Sequence, residues 1–303
     1  MPGNPRERSS RGANHHVAAP ATQHRNEGFA APPRAAILRA TTVRYGERME
    51  IPSLAALLPV VREAGELARG LFQNVTAERK ADRTLVTAAD RAVESYLVER
   101  LPEVAPGVRL LGEEFGAVGP DTAACTLTLD PIDGTSAFVA GLPTWCVTVG
   151  IICDGRAVGG ITYLPMTGET YVAEHGEARW NGRALPRGRR PAHEGDLFIV
   201  THSDLHRGRG IRFPGKVRAL GSTAYHMALV ARGAAVAALL GHARIWDIAA
   251  GAAMLDAVGG ELRYRTGAAV DLRPLLGGER APEHLVAAAP GMMDEILPQL
   301  QPR

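Results

Sequence analysis

The chain has 303 residues, of which 46% are hydrophobic and 22% are charged, and its formal net charge is +2. This composition is typical of a globular protein with one large or two modest domains. It excludes a membrane anchor and a secretory signal, because no apolar run approaches the roughly 18 residues of a membrane span and the amino terminus lacks a compact apolar segment. We therefore expect a cytoplasmic protein with no membrane partner.

The start of the chain is rich in Pro, Gly, Ala, His and Arg and has neither helical nor strand periodicity. We interpret residues 1–48 as a disordered basic tail. Histidines such as His15 and His16 could bind a metal, and the arginines could contact nucleic acid. Because the arginines are scattered without aromatic residues between them, a solvated tail is favoured and we expect no nucleic-acid partner.

The three cysteines, Cys125, Cys146 and Cys153, are odd in number and lie in apolar surroundings. They have no C-x-x-C spacing, so the sequence indicates neither a disulfide framework nor a zinc site. We predict three buried free thiols.

Two helices are predicted after the tail. Apolar residues recur with helical spacing over 53–72, and a second helix is predicted over 88–101, where Pro102 closes it. Thr87 and Asp90 have the spacing of a capping box, which is an alternative to any catalytic role for Asp90.

Acidic residues follow each of the next two predicted strands. A strand over 108–111 leads into the Gly-Glu-Glu sequence around Glu113, a pattern common in surface turns. A strand over 126–129 leads into two aspartates three residues apart, with a proline between them that blocks further ladder pairing. We therefore expect Asp130 and Asp133 at the end of a strand.

The remaining elements alternate in type without a regular βαβ repeat, which predicts an α+β architecture. Strands over 145–153, 158–164 and 170–174 indicate a hairpin-rich antiparallel sheet. The density of Pro, Gly and Arg then rises, and we place a boundary there between subdomains 49–188 and 189–303. The elements predicted beyond it are strands 198–201, 217–220 and 234–240 and helices 221–231 and 248–258.

Two carboxylates at one strand end predict a metal site. In a partly buried cleft Asp130 and Asp133 would repel each other unless a cation lay between them. Oxygen ligands suit Mg²⁺ or Mn²⁺, and Gly134 and Thr135 offer N–H groups and a hydroxyl to a bridging anion. A D-x-x-D-G turn with solvated acids is the alternative from these letters alone.

Four ordered segments together resemble the inositol monophosphatase family of magnesium-dependent, lithium-sensitive phosphomonoesterases. The resemblance covers residues 53–290 and implies an αβαβα layered sandwich of the inositol monophosphatase and fructose-1,6-bisphosphatase type. The third and fourth segments form the more specific signature. The segments read LVTAAD at 85–90, GEE at 112–114, DPIDGT at 130–135 and WDIAAG at 246–251.

The resemblance implies a set of metal ligands. Glu113, Asp130 and the Ile132 carbonyl would hold one Mg²⁺, Asp130, Asp133 and Asp247 would hold a second, and Glu113 could help with a third. Mn²⁺ is an alternative ion. The ions would bridge the phosphate and activate a water for attack near neutral pH.

The same resemblance assigns catalytic and phosphate-binding roles. Thr135, hydrogen-bonded to Asp90, would orient the water and relay its proton, with Glu113 as the third catalytic residue. The N–H groups of Gly134 and Thr135 would grip the phosphate. Lys80, or Arg79 beside it, lies where the family has a mobile basic loop.

Gly221, Ser222 and Asp247 match the substrate side of the family, although a helix cap is an equal alternative for Ser222. Two positions depart from the family pattern. Ala137 replaces an asparagine, and Leu240 replaces the glutamate that accepts a hydrogen bond from the hydroxyls of inositol. An apolar residue there should weaken selectivity for a polyol.

We therefore predict a Mg²⁺-dependent phosphatase for a small phosphorylated metabolite, acting as an inositol-1-phosphatase or on a histidinol phosphate, a sugar phosphate or a 3′-phosphonucleotide. The resemblance also implies a homodimer. A non-catalytic regulatory protein that reuses the fold is the alternative from another class. The retained acids favour catalysis, because a binding module would not need them.

Overall fold

The computed structural model describes residues 43–44, 50–81, 84–189, 197–207 and 211–300. The tail predicted for residues 1–48 lies outside these ranges, except for two residues that form the first strand. Of the helices in the described ranges, none combines the length and the apolar character needed to cross a membrane.

All four predicted helices are present, but some of their ends differ from the prediction, and two short helices, Thr135–Val139 and Met293–Ile296, were not predicted. The second helix does not end before Pro102 but continues to Val104. The proline lies in the last turn, where it removes one backbone hydrogen bond and leaves the helix end closed by Ala105 N–H to the Leu101 carbonyl, 2.8 Å. The α-helices are α1 (Leu54–Leu71), α2 (Ala88–Val104), α3 (Thr135–Val139), α4 (Thr223–Ala231), α5 (Ile245–Val258) and α6 (Met293–Ile296), and the 3-10 helices are Ser203–Arg207, Arg273–Gly277 and Leu297–Leu300.

The strands form two large sheets and two small ladders. In chain order they are β1 (Val43–Arg44), β2 (Glu50–Ile51), β3 (Ala77–Arg79), β4 (Leu85–Thr87), β5 (Arg109–Gly112), β6 (Gly116–Val118), β7 (Cys125–Asp133), β8 (Cys146–Cys153), β9 (Arg156–Leu164), β10 (Glu169–Glu174), β11 (Glu177–Trp180), β12 (Arg183–Ala184), β13 (Phe198–Thr201), β14 (Lys216–Arg218), β15 (Ala237–Leu240), β16 (Glu261–Tyr264) and β17 (Leu285–Ala288).

The first sheet has eight strands in the order β12-β11-β10-β9-β8-β7-β5-β6, and its pairs are antiparallel except β5 with β7. Strand β7 is buried along its whole length. Pairing was predicted to stop at Pro131, and this is wrong. The ladder resumes at Asp133, opposite Cys146, after a register shift that begins at Asp130. A bulge absorbs the proline and lets the strand carry both aspartates.

The second sheet has five strands in the order β14-β13-β15-β17-β16. Strands β13, β14 and β15 run parallel, whereas β17 runs antiparallel to both β15 and β16. The carboxyl ends of β13 and β15 and the amino end of β17 therefore share one edge of this sheet.

The sheets and helices alternate in layers. Helices α1 and α2 cover one face of the eight-stranded sheet with one hydrophobic core. Helices α4 and α5 lie between the two sheets in a second core, and α6 contacts β17 of the five-stranded sheet. The layered α+β fold is confirmed, because each amphipathic element has an apolar face that only a neighbouring layer can cover.

Helix α5 packs closely on the eight-stranded sheet, as its small residues predicted. A Cβ atom added to Gly150 would lie 2.4 Å from Ala249 Cβ, and one added to Gly160 would lie 2.5 Å from Ala250 Cα. These distances are shorter than any real contact. Glycine on the strands and alanine on the helix are therefore both required for this approach.

A disulfide joins Cys125 and Cys153, and the prediction of three free thiols is wrong for these two. They are directly opposite on β7 and β8, with 4.3 Å between their Cα atoms. The 28 residues that separate them match no spacing that is typical of a disulfide. Only the register of the two strands reveals that the cysteines are paired. Cys146 is a buried free thiol, as predicted.

Gly160→Ala should destabilise the protein by about 1–3 kcal/mol, because the new methyl group meets the backbone of α5, which cannot rotate away. The matched control is Gly70→Ala in α1, where an added Cβ has no neighbour within 4 Å. This control should keep or slightly raise stability, because alanine favours a helix. Calorimetric melting of both variants checks the prediction, and equal melting temperatures would contradict it.

Candidate metal and phosphate site

Three aspartates from two distant segments meet between the sheets. Asp130 and Asp133 come from the bulged end of β7, and Asp247 comes from the first turn of α5. Each contributes a carboxylate oxygen, and these oxygens all lie within 4.8 Å of one another. Asp130 and Asp133 are buried, with 2% and 6% of their surface exposed.

Burial and mutual repulsion raise the pKa values of these acids. The pKa of Asp247 rises to about 8, first because of burial and then because of the charges of Asp133 and Glu113. Burial also raises the pKa of Asp130 well above its ordinary value, with further contributions from Glu113 and Asp133. Carboxylates that resist ionisation alone become favourable ligands when a divalent cation neutralises them.

Asp133 also anchors the start of α4. Its carboxylate accepts hydrogen bonds from the Ser222 hydroxyl, from Thr223 N at 3.2 Å and from Ala224 N at 2.7 Å. These donors oppose the effect of burial, so the pKa of Asp133 rises only to about 6. The aspartate therefore ties the eight-stranded sheet to the segment that leads into α4.

Asp130 and Ile132 belong to the same turn. The Ile132 N–H donates to Asp130 Oδ1 at 3.0 Å, and the Ile132 carbonyl oxygen lies 3.1 Å from Thr135 Oγ1. The bulge thus directs a backbone carbonyl and a carboxylate to the same region, and both are oxygen donors suited to a hard cation.

Thr135 and Asp90 are in contact, although 45 residues separate them. Thr135 Oγ1 lies 3.1 Å from Asp90 Oδ1. The other oxygen, Asp90 Oδ2, accepts from both Thr87 N and Thr87 Oγ1 at 2.7 Å. The predicted capping box is confirmed, and it leaves one oxygen of the same carboxylate directed to Thr135.

Glu113 lies in the turn after β5 and forms an ion pair with Lys80. Lys80 Nζ is 2.9 Å from Glu113 Oε1 and also contacts Glu114. Burial raises the pKa of Glu113, and the lysine charge opposes this effect. Of the two basic residues predicted for the loop over the site, Lys80 is thus placed against a predicted metal ligand.

Gly134, which is predicted to bind phosphate, packs closely against Gly221, which is predicted to contact the substrate. Its φ is +95°, which favours glycine, and an added Cβ would lie 2.9 Å from the Gly221 carbonyl oxygen. The helix that follows, α3, has five residues. Ser222 already donates its proton to Asp133 and accepts from Tyr225 N at 3.1 Å. The alternative of a helix cap for Ser222 is therefore confirmed.

The two departures from the family pattern are both apolar and buried. Ala137 is 3% exposed, and Leu240, at the end of β15, is 1% exposed. Neither side chain can supply the hydrogen bond of the residue that it replaces.

Glu94 is a supporting residue that the sequence analysis missed. It is fully buried in α2, and its two oxygens accept from Glu114 N at 2.9 Å and Phe115 N at 2.8 Å. Gly112 makes room for it, because an added Cβ there would lie 1.9 Å from Glu94 Oε1. Burial raises the pKa of Glu94 to about 7, against the effect of the two N–H donors. Glu94 therefore holds the turn that carries Glu113.

The donor atoms fit a magnesium site. Asp130, Asp133 and Asp247 supply carboxylate oxygens only. Burial raises all three pKa values, and repulsion that a divalent cation would relieve adds to the increase for Asp130 and Asp247. Glu113 acts on the same group, since its charge raises the pKa of both Asp130 and Asp247.

Sequence comparison gives the class of protein. The profile described as "Inositol monophosphatase family" matches residues 52–301. Inositol-1-monophosphatase ImpA of Mycolicibacterium smegmatis is 36% identical over 242 residues, 73% of this chain and 82% of that protein. Nus factor SuhB of Pasteurella multocida is 29% identical over 269 residues, 83% of this chain and 96% of that protein. The chain is a metal-dependent hydrolase of phosphate monoesters.

Structural comparison agrees on the fold. The extragenic suppressor protein SuhB from Bartonella henselae superposes with a TM-score of 0.71 at 24% identity, covering 82% of this chain and 98% of that one. This chain belongs to the inositol monophosphatase family, whose members depend on Mg²⁺ and act on small phosphorylated substrates.

Glu94→Ala should lower the apparent affinity of the enzyme for Mg²⁺ by about 10–100-fold, because the turn that carries Glu113 loses its two acceptors. Glu94→Gln should have a smaller effect, since one acceptor remains. Glu99→Ala, on an exposed position of the same helix, is the control. Mg²⁺ titration of phosphatase activity measures the effect, and equal curves for the Glu94 and Glu99 variants would contradict it.

Mg²⁺ should stabilise the protein more at pH 8 than at pH 5. Raised carboxyl pKa values mean that the folded, metal-free protein binds more protons than the unfolded chain above about pH 4, so its stability falls as pH rises. Mg²⁺ removes this loss by binding the ionised acids. The measurement is the melting temperature with Mg²⁺ minus that with EDTA at each pH. Histidines that titrate without binding Mg²⁺ change both temperatures equally, so their effect cancels in the difference. A difference independent of pH would contradict the prediction.

Proposed function

We propose that this enzyme hydrolyses a small phosphorylated metabolite at the acidic cluster. The observation that carries the proposal is the convergence of Asp130, Asp133 and Asp247. With Glu113 and the Ile132 carbonyl they would hold two Mg²⁺ ions, with room for a third near Glu113, and Mn²⁺ could replace Mg²⁺. When bound, these ions supply Lewis-acid polarisation of the phosphate ester.

Thr135 and Asp90 are proposed as the proton acceptor pair. Thr135 Oγ1 would accept a proton from the attacking water while its own proton passes to Asp90 Oδ1, 3.1 Å away. Burial raises the pKa of Asp90, which makes it a better acceptor. Thr87 fixes the opposite oxygen, so the carboxylate is already oriented before substrate binds.

Phosphate binding is proposed at the loop after β7. The N–H groups of Gly134 and Thr135 begin α3, and the left-handed conformation of Gly134 turns the chain sharply there. Glu113 on the facing turn is proposed as the third catalytic residue. The ammonium group of Lys80 would neutralise its charge until an ion binds.

The alcohol part of the substrate is proposed to contact Gly221, Ser222 and Asp247. Inositol 1-phosphate is a candidate substrate because a relative is named as an inositol-1-monophosphatase. Leu240 is buried where a polyol would need an acceptor, and the proton of Ser222 is already donated to Asp133. A missing acceptor weakens the case for any polyol, and histidinol phosphate, a sugar phosphate or a 3′-phosphonucleotide are the alternative substrates.

A regulatory role is a second candidate, because one relative is named as a Nus factor. The convergent acids support catalysis over a purely non-catalytic role.

We also propose a cytoplasmic homodimer with subdomains 49–188 and 189–303. The proposed boundary falls between β12 of the eight-stranded sheet and β13 of the five-stranded sheet.

A panel of phosphomonoesters assayed with Mg²⁺ tests the proposed function. Release of inorganic phosphate from at least one of the four substrate classes is expected, and EDTA should abolish it. Absence of turnover on every class, in a protein that binds Mg²⁺ and is folded, would favour the regulatory role.

Asp130→Asn should lower kcat by about 10³-fold, because it removes a charge shared by both proposed ions, a loss of roughly 4 kcal/mol in the transition state. Asp121→Asn is the control, since that side chain is 90% exposed on a distant turn. Steady-state kinetics at saturating Mg²⁺ measures the effect. Near-normal turnover in Asp130→Asn would overturn the proposed metal ligands.

Thr135→Ala should lower kcat by about 10²–10⁴-fold with little change in KM, because the proton acceptor pair is lost. Thr135→Ser keeps the hydroxyl and should restore most of the rate. If serine and alanine variants were equally slow, the hydroxyl would not be the acting group.

A further inference from the structure

Three histidines cluster at one edge of the five-stranded sheet. His202 follows β13, His242 lies between β15 and α5, and His284 precedes β17, so the strand directions bring all three to the same edge. The ring of His284 lies 5.0 Å from that of His202 and 4.7 Å from that of His242, both edge to face. They come from three separate segments, and none belongs to the acidic cluster.

Two ring nitrogens of this histidine cluster lack a hydrogen-bond partner. His202 Nε2 and His284 Nδ1 are buried and make no hydrogen bond within the described residues. An unpaired buried polar atom destabilises a fold by about 1–3 kcal/mol. Binding of a water molecule or a metal ion to each nitrogen would remove this cost.

The third histidine is already oriented as a ligand. His242 Nδ1 lies 2.9 Å from the Ala281 carbonyl oxygen, so this nitrogen carries the proton and Nε2 keeps its lone pair. Metal-binding imidazoles are commonly held in this way by a backbone carbonyl. The side chain of His242 is exposed, which gives an ion a path into the cluster.

Burial favours the neutral form of the His202 and His284 rings. Burial lowers the pKa of His284 to about 4, assisted by His202, His242 and Arg265. Burial also lowers the pKa of His202, where Asp204 acts in the opposite direction. Neutral imidazole is the form that binds metals, so His202 and His284 need not release a proton at neutral pH.

We propose that His202, His242 and His284 form a second metal site, selective for a borderline transition-metal ion such as Zn²⁺. Imidazole nitrogen suits Zn²⁺, whereas the acidic cluster offers only the oxygen ligands preferred by Mg²⁺. Among the described residues the only set of donor atoms that already converges is the aspartate group, so the rings of His202 and His284 must rotate about χ2 to bind, while His242 keeps its contact with Ala281. Histidine χ2 is a broad torsion, which makes this rotation inexpensive.

The proposed ion would add a link between segments that already meet through the sheet and through the hydrogen bond from Ala281 N–H to the Ala243 carbonyl oxygen, 2.8 Å. It would hold the chain after β13, the connection into α5 and the start of β17 together, and so stabilise this edge. The site does not depend on the proposed phosphatase function.

The test uses the full-length protein dialysed against Zn²⁺ in excess Mg²⁺, which keeps the acidic cluster occupied. Wild type should retain one more Zn²⁺ per chain than His284→Ala, and it should melt at a higher temperature with Zn²⁺ than without. The control His175→Ala changes an exposed histidine in another turn and should match wild type. All variants keep the histidines at positions 15 and 16. Any Zn²⁺ bound there is therefore the same in every variant and cancels in the comparison.

Co²⁺ provides a second readout, because imidazole ligation gives visible absorption bands distinct from those of an oxygen-only site. These bands should appear in wild type and be lost in both His284→Gln and His202→Asn. Mg²⁺-supported phosphatase activity of the variants shows that they are folded. Equal Zn²⁺ content in wild type and His284 variants, with unchanged Co²⁺ spectra, would overturn the proposal and leave water as the partner of the buried nitrogens.

Discussion

Repulsion between buried carboxylates is the interaction on which this structure depends. Asp130, Asp133 and Asp247 each hold a carboxylate oxygen within 4.8 Å of the others, although burial disfavours their ionised forms. Proteins bury such groups only where partners compensate them. Backbone N–H groups compensate part of the charge here, and the remainder would favour the binding of the proposed cations. The same arrangement thus limits the stability of the metal-free protein and defines its chemistry.

Helix starts carry much of that compensation. Asp90 and Asp247 each occupy the third position of a helix and accept a backbone N–H from its capping residue, and Asp133 accepts from the first residues of α4. Three helices therefore direct their positive ends toward the site. The acids of the proposed site thus also stabilise the helices that position them, so folding and the proposed function would rely on the same contacts.

Local patterns predicted much of this arrangement, whereas features set by tertiary register escaped them. The helices, the capping box at Thr87 and the motif at Asp130 are encoded by neighbouring residues. The partner of Cys125, the role of Glu94 and the histidine cluster depend on which strands pair and which turns face each other. No spacing along the chain reports such contacts, because segments far apart in sequence supply them.

The Cys125–Cys153 bond has a consequence at the far end of its strands. It links β7 to β8 at one end, while Asp133 pairs with Cys146 at the other. Slippage by a single residue would turn every side chain of β7 to the opposite face and move the aspartates away from α5. A covalent crosslink at the base of the hairpin prevents that slippage. It therefore fixes the register of the two strands and keeps the acids facing the interior.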